Sequence, residues 1–167
     1  MTTARPIVQA RQLTRDAFLP YGEVIDIDGA ERFSINQGKC TRYHALAQAT
    51  ALGADAGIII SIFHSQPYSM PLELGMVERH PLGSQAFMPL DPLPFLVVVC
   101  PDAGGMPGHP EAFVPTPFQG VNYFANVWHG VVTPLQQAMR FLVVDRSGEG
   151  ANLEEHHFET PFIVSPA

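Results

Sequence analysis

The chain has 167 residues and a formal net charge of −7, with 16 acidic residues against 9 lysines and arginines. It contains no basic stripe and no run in which basic and aromatic residues alternate, so we expect no nucleic-acid partner. A chain of this length is typical of one domain that buries roughly 70% of its unfolded surface, and we expect a single domain over residues 1–167.

The cysteine content and the lengths of the apolar runs indicate the cellular compartment in which the protein works. Cys40 and Cys100 are the only two cysteines and lie far apart, which favours reduced thiols over a disulfide framework. The first residues lack the apolar core of a signal peptide, and the longest apolar run, residues 95–100, is far shorter than the ~20 residues that span a membrane. We therefore expect a cytoplasmic protein with no membrane partner.

The predicted elements are short and are mostly strands. Residues 7–10 predict a first strand, and residues 13–18 predict a short helix with Thr14 as its N-cap. Further strands are predicted over residues 21–27, 33–36, 57–64, 72–80, 95–100, 118–124, 127–132 and 141–145. The strand over residues 57–64 is almost wholly apolar, so we expect it to be buried on both faces. Many short strands with little helix predict a closed antiparallel sandwich or barrel.

Residues 72–80 give the first indication of a functional site. Read with a period of two, Leu72, Leu74, Met76, Glu78 and His80 share one face of the predicted strand. This face begins apolar and ends in a carboxylate and an imidazole. Because an unpaired buried carboxylate is costly, two interpretations remain: a rim strand with a solvated polar end, or a site whose wall contains the last two residues.

The spacing of these residues is similar to that of the cupin enzymes. Those enzymes carry His-x-His-x(3,4)-Glu on one hairpin and Pro-x-Gly-x-x-His further along, which places four ligands around a metal. In this chain Glu78, His80 and Gln85 have the spacing of the first motif, and the segment from Phe124 to His129 has the spacing of the second. We therefore predict a cupin-like antiparallel jelly-roll barrel and one divalent ion (Ni, Zn or Mn), held by Glu78, His80, Gln85 and His129. No organic cofactor is expected, since no glycine-rich phosphate loop is present.

Longer segments resemble the ureidoglycolate lyases, formerly called ureidoglycolate hydrolases. The segments are residues 78–89 (ERHPLGSQAFMP), 119–123 (QGVNY), 127–129 (VWH), 141–146 (FLVVDR), 21–25 (YGEVI), 35–38 (INQG) and 42–44 (RYH). The resemblance implies a cupin-like fold, a homodimer and a place in allantoin (purine) breakdown, where ureidoglycolate becomes glyoxylate and urea. Family members carry His and Arg after the Asn-Tyr pair and a second His after Trp-His, where this chain has Phe124, Ala125 and Gly130.

The implied reaction assigns roles to four residues. Release of urea requires removal of the hydroxyl proton, protonation of the departing nitrogen and support for the developing carbonyl. Glu78 or His80 is the expected base. His129 or Tyr123 is the expected acid.

The substrate is a small carboxylate, and three further residues are expected to bind it. Arg42 could clamp the carboxylate through two parallel hydrogen bonds. His44, in the same polar cluster, and Asn122 complete this group. Arg79 lies on the strand face opposite Glu78, so we expect it to be structural or to lie at an interface.

Two other function classes stay open on the sequence alone. One is a metal-dependent cupin oxygenase or isomerase, which oxygen uptake would distinguish from a lyase. The other is a non-catalytic cupin that binds small acids, which saturable glyoxylate binding without turnover would indicate.

Overall fold

The computed structural model describes residues 4–166, which form one helix and fifteen strands. The prediction of an all-β, cupin-like barrel with little helix is confirmed. Helix α1 (Arg15–Phe18) begins after Thr14, whose hydroxyl accepts a hydrogen bond from the Ala17 amide at 3.3 Å, so Thr14 is the N-cap as predicted. Within residues 4–166, no helix is long and apolar enough to cross a membrane.

The strands are short and follow one another with few helical interruptions. In chain order they are β1 (Ile7–Gln9), β2 (Arg11–Gln12), β3 (Gly22–Ile25), β4 (Arg32–Ile35), β5 (Cys40–Tyr43), β6 (Gly57–Ser65), β7 (Leu72–Arg79), β8 (Gln85–Pro89), β9 (Phe95–Cys100), β10 (Glu111–Val114), β11 (Gly120–Tyr123), β12 (Trp128–His129), β13 (Thr133–Pro134), β14 (Met139–Ser147) and β15 (Glu154–Ser165).

Two sheets face each other across the main core. The eight-stranded sheet has the order β1-β15-β7-β12-β9-β10-β2, with β13 also paired to β9, and the five-stranded sheet has the order β3-β11-β8-β14-β6. The main core contains Val97 and Val99 from the first sheet and Phe87, Val121 and Val143 from the second. Each such side chain stabilises the fold by about 1.5–3 kcal/mol when fully buried. Apolar side chains therefore fill the space between the two sheets, except where polar side chains take their place.

The outer face of the eight-stranded sheet carries a second apolar cluster, and it corrects the predicted alternation of β7. Leu72, Leu74 and Val77 all belong to this outer cluster, together with Trp128. The inward and outward positions therefore shift by one residue between Leu74 and Val77, where the pairing of β7 with β15 is also irregular. Glu78 does face the site, but on the side of the sheet opposite to the two leucines, so the predicted single face was wrong.

The strand predicted over residues 57–64 is present as β6, but the expectation that both its faces are buried is wrong. β6 forms an edge of the five-stranded sheet and, within the described residues, pairs only with β14. Ile58, Ile59, Ile60 and Ile62 are 43% to 70% exposed. An apolar run indicates burial only if other elements cover the strand, and the sequence does not show which strand lies at an edge.

β4 and β5 form a separate hairpin, which we call the arm (residues 32–43). Within the described part of the chain, its strands pair only with each other. Six of its eight strand residues are exposed. Asn36, Gln37 and Gly38 at its tip have φ between 53° and 83°, the left-handed conformation that tight hairpin turns use.

Candidate metal and catalytic site

Glu78, His80 and His129 meet on the inner face of the eight-stranded sheet. Glu78 on β7 pairs directly with His129 on β12, and His80 lies just beyond the end of β7. One potential ligand atom from each residue lies within 4.8 Å of the others, and Nε2 of His80 is 3.8 Å from the Glu78 carboxylate. Atoms that bind one ion at about 2.1 Å lie about 3–4 Å apart, so the cluster has the dimensions of a divalent-ion site.

Main-chain carbonyls fix both imidazoles in one tautomer. Nδ1 of His80 is 2.7 Å from the carbonyl oxygen of Asn152, and Nδ1 of His129 is 3.0 Å from that of Gly130. A carbonyl only accepts hydrogen bonds, so each Nδ1 carries the proton and each Nε2 keeps a free lone pair. Both Nε2 atoms are buried and have no hydrogen-bond partner. Two orphaned lone pairs beside a carboxylate are what a bound cation would satisfy, and the residues therefore fit a metal.

Burial controls the charge of the cluster. It raises the pKa of Glu78, an effect that His80 opposes and Glu155 reinforces. Burial also lowers the pKa of His129 from 6.5 to about 4; the hydrogen bond to Gly130 opposes this change and His80 adds to it. His129 is therefore a neutral imidazole at pH 7, which is the form that binds metals and not the form that donates a proton.

Gln85, the predicted fourth ligand, has its amide oriented by a residue that the sequence analysis missed. Its Nε2 is 3.5 Å from Oδ2 of Asp145, while its Oε1 is buried without a partner. A carboxylate only accepts, so it keeps the amide nitrogen towards itself and turns Oε1 away. Period-two alternation could have identified Asp145, because it shares a face of β14 with buried Phe141 and Val143. Asn152 had no such signal, since it binds His80 through its main-chain carbonyl; its side-chain Oδ1 accepts a hydrogen bond from the Leu82 amide at 2.8 Å.

Tyr123 packs flat against His129. The ring centroids are 4.3 Å apart and the planes differ by 5°. Burial, and to a lesser extent the charge of Glu78, raises the pKa of Tyr123, so its hydroxyl stays protonated. Tyr123 thus fixes the plane of the His129 ring and keeps a neutral hydroxyl near the cluster.

A cavity of about 480 Å³ opens beside the cluster. Its volume lies within the range of about 300–1,000 Å³ that is common for small-molecule sites. The lining residues are Phe63, Ser65, Gln66, Pro67, Tyr68, Glu78, Gln85, Phe87, His129, Val131 and Val132. Apolar side chains therefore surround a few polar groups, and among these lining residues there is no arginine or lysine.

The other predicted substrate-binding residues lie outside this cavity. The Asn122 side chain donates to the Glu23 carboxylate at 2.8 Å and to the Gln48 carbonyl at 3.1 Å, away from the cluster. Arg42 is exposed on the arm with its guanidinium 5.8 Å from the Phe33 ring, and His44 packs against the same ring. Within one protomer the structure brings Glu78, His80, Gln85, Tyr123 and His129 together, but not Arg42, His44 or Asn122.

The three positions that depart from the family pattern also lie off the cavity lining. Phe124 is 40% exposed, and Ala125 follows it in the same turn. A side chain at Gly130 would meet Leu74 and Val98, which belong to the outer cluster. These differences therefore leave the cluster of Glu78, His80 and His129 unchanged. Arg79 lies outside the cavity lining: it bonds Glu154, and its guanidinium carbon is 4.3 Å from the centroid of the Trp128 ring.

The lowered pKa of His129 predicts a pH dependence of stability for the metal-free protein. The unfolded chain takes up this proton near pH 6.5 and the folded chain only near pH 4, so the free energy of unfolding should fall as pH falls through that window. Once His129 is protonated in the folded chain as well as in the unfolded chain, its titration should have lowered the free energy of unfolding by about 3 kcal/mol. Urea unfolding at pH 7, 5.5 and 4.5 measures it. The raised pKa of Glu78 makes the free energy of unfolding change with pH in the opposite direction, so the control is His129→Gln, which keeps Glu78. The free energy of unfolding of this variant should depend less on pH than that of the wild type. An equal pH dependence in both proteins would contradict the lowered pKa of His129.

Comparison with known proteins agrees with this geometry. The family profile described as ureidoglycolate lyase matches residues 5–165. A ureidoglycolate lyase of Mesorhizobium japonicum is 57% identical over 157 residues, covering 94% of this chain and 96% of that protein. One from a Chelativorans species is 56% identical, covering 93% and 94%, and ureidoglycolate lyase 2 of Rhizobium meliloti is 55% identical, covering 94% and 96%. The chain therefore belongs to the ureidoglycolate lyase family.

Proposed function

We propose that this protein is a ureidoglycolate lyase, which cleaves ureidoglycolate to glyoxylate and urea in allantoin breakdown. The observation that carries the proposal is the cluster of Glu78, His80 and His129, of which Glu78 and His129 line a cavity of small-molecule size. The similarity to relatives that bear this name over more than nine-tenths of the chain supports it. Two free cysteines, Cys40 and Cys100, are compatible with the cytoplasm as its location.

We further propose that a divalent ion binds at the cluster. Nε2 of His80, Nε2 of His129, one oxygen of Glu78 and Oε1 of Gln85 would hold it, a donor set that suits Ni, Zn or Mn. When bound, the ion would supply positive charge that stabilises the substrate's hydroxyl oxygen as it loses its proton and becomes a carbonyl oxygen.

Glu78 is the residue best placed to move the proton. It is the only carboxylate among the lining residues of the cavity, so it is the one acidic side chain placed to accept a proton there. A carboxylate has two oxygens, so Glu78 can bind an ion with one and exchange a proton with the other. The hydroxyl oxygen and the ureido nitrogen of the substrate are attached to the same carbon. Glu78 can therefore take the proton from the oxygen and return it to the nitrogen as the carbon–nitrogen bond breaks.

His129 and Tyr123 have supporting roles in this scheme. Neutral His129 can accept a hydrogen bond at Nε2 but has no proton there to give to the departing urea. Of the two acids expected from the sequence, His129 and Tyr123, only Tyr123 therefore stays a candidate. The protonated hydroxyl of Tyr123 is left as the second donor near Glu78. Apolar side chains around the cavity exclude water from the reacting group.

The test is a product balance. Purified protein is incubated with racemic ureidoglycolate, with and without chelator, and urea, ammonia and glyoxylate are assayed together. We expect equal amounts of urea and glyoxylate without ammonia, and loss of activity in chelator that added metal restores. Ammonia in place of urea would indicate an amidohydrolase, and products at the spontaneous rate only, from folded metal-loaded protein, would leave a small-acid-binding protein.

A further inference from the structure

We propose that a second copy of this chain completes the site: the arm of each protomer covers the exposed edge strand β6 of the other and brings Arg42 to its cavity. This inference rests on the proposed function, because Arg42 would be the positively charged side chain that binds the carboxylate of the proposed substrate. The family resemblance implies only that two copies associate. The surfaces that meet, and the exchange of a substrate-binding residue between protomers, follow from the structure.

In residues 4–166 no other strand pairs with the arm. A two-stranded hairpin alone is marginally stable in water, and a third strand or a packed face is needed to support it. Within the described residues β4 and β5 pair only with each other, and Phe33 is 41% exposed. The arm follows β3, at the edge of the five-stranded sheet opposite to β6. Three strands separate these two edges, so the strand that leads into the arm does not adjoin the β6 of its own chain.

β6 is the complementary surface. Five of its apolar side chains are exposed, three on its outer face (Ile58, Ile60 and Ile62) and two on its inner face (Ile59 and Phe63), and together they present apolar area on the order of 500 Å² around this edge strand. A stable interface buries about 800 Å² per partner, and the arm can provide the rest. One chain thus carries both an uncovered arm and an uncovered edge. In a two-fold dimer these features cover each other twice, which is why the occupant is a second copy rather than an unrelated protein.

Charge supports the same pairing. The arm carries Arg32, Lys39 and Arg42 and no acidic residue, although the whole chain has 16 acidic residues against 9 basic ones. Glu78 is the only acidic or basic residue, histidine aside, among those that line the cavity. Phe63 and Ser65, on the inner face of β6, belong to the same lining, so the edge strand that the arm would cover borders the cavity. A guanidinium arriving there would bind the substrate carboxylate through two hydrogen bonds.

Subunit complementation tests the exchange of Arg42. An Arg42→Ala chain and a His129→Gln chain are co-expressed with different tags, and the mixed dimer is purified through both tags. The mixed dimer contains one site with intact Glu78, His80 and His129 that receives an intact arm from the other chain. At substrate concentrations below KM we expect it to reach about half of wild-type activity, while Arg42→Ala alone raises KM at least ~10-fold, as expected for loss of a bidentate clamp. Arg32→Ala, on the other face of the arm, is the matched control and should leave KM unchanged.

Mixed dimers no more active than the mean of the two parent variants would overturn the exchange, as would an unchanged KM in Arg42→Ala. The interface is tested separately by sedimentation, which needs no activity and so distinguishes its failure from failure of the proposed function. Ile60→Asp should dissociate the dimer, whereas Ile7→Asp, at a side chain that is also 70% exposed, should not. A wild-type monomer at micromolar concentration, or a dimer unaffected by Ile60→Asp, would refute the interface.

Discussion

Replacement of either imidazole is expected to abolish most of the activity without unfolding the chain. His80→Ala and His129→Gln should each lower kcat/KM for ureidoglycolate by about 10³-fold or more, because each removes a metal ligand and a group that orders the reacting atoms. His129 is 2% exposed, so glutamine, which nearly preserves its volume, is preferred to alanine at that position. Metal content by mass spectrometry should fall in parallel with activity.

The matched control is His157→Gln. His157 lies on β15 beside β7, but its side chain is largely exposed and is not part of the cluster. It should keep full activity and full metal content. Circular dichroism at 25 °C and a cooperative thermal transition establish that each variant is folded. Near-normal turnover in folded His80→Ala and His129→Gln would remove the cluster from the mechanism.

Glu78→Gln is expected to change activity and stability in opposite directions. Loss of the proton carrier should lower kcat by about 10²–10⁴-fold, the usual contribution of general acid–base catalysis. The metal-free variant should nevertheless melt at a higher temperature than the wild type at pH 7.5. Burial raises the pKa of Glu78, so the ionised carboxylate is less favourable in the folded chain than in the unfolded chain. Protonated Glu78 therefore contributes fully to stability below the pKa that it has in the unfolded chain, and this contribution is lost as pH rises through the pKa that it has in the folded chain.

Glu155→Gln provides the comparison for this variant. Glu155 pairs with Glu78 in the β7–β15 register and is about half exposed, yet it does not line the cavity. It should keep its activity. Differential scanning calorimetry at pH 5 and pH 7.5 separates the two effects, since the advantage of Glu78→Gln should be larger at the higher pH. A lower melting temperature for metal-free Glu78→Gln at pH 7.5 would mean that the carboxylate is stabilised by a partner.

The ligand spacing was readable from the sequence because it depends on local geometry. Glu78 and His80 are two residues apart near the end of one strand, and a turn brings Gln85 back beside them, so few assumptions are needed to place them together. His129 was found through a second spacing of the same kind. The face assignment of Leu72 and Leu74 failed because a local irregularity inverts the alternation, and a single sequence gives no reliable sign of it.

The features that the sequence did not reveal depend on which elements become neighbours. β6 has the composition of a central strand and yet lies at an edge, because strand order is decided by the whole sheet. Arg42 and His44 were expected in the cavity from their residue types, but the arm carries them away from it. Asn152 contributes a carbonyl, which every residue possesses, so no residue type marks its position.

The way in which the two imidazoles are held has a consequence for how this protein can change during evolution. Main-chain carbonyls at positions 130 and 152 fix both tautomers, and no single side-chain replacement removes a carbonyl. The orientation of the ligands is therefore buffered against point mutation in a way that a carboxylate partner would not provide. Insertions and deletions in the segment around residue 152 can displace that carbonyl, so this segment should tolerate most substitutions at positions other than Asn152 and should not tolerate changes in loop length.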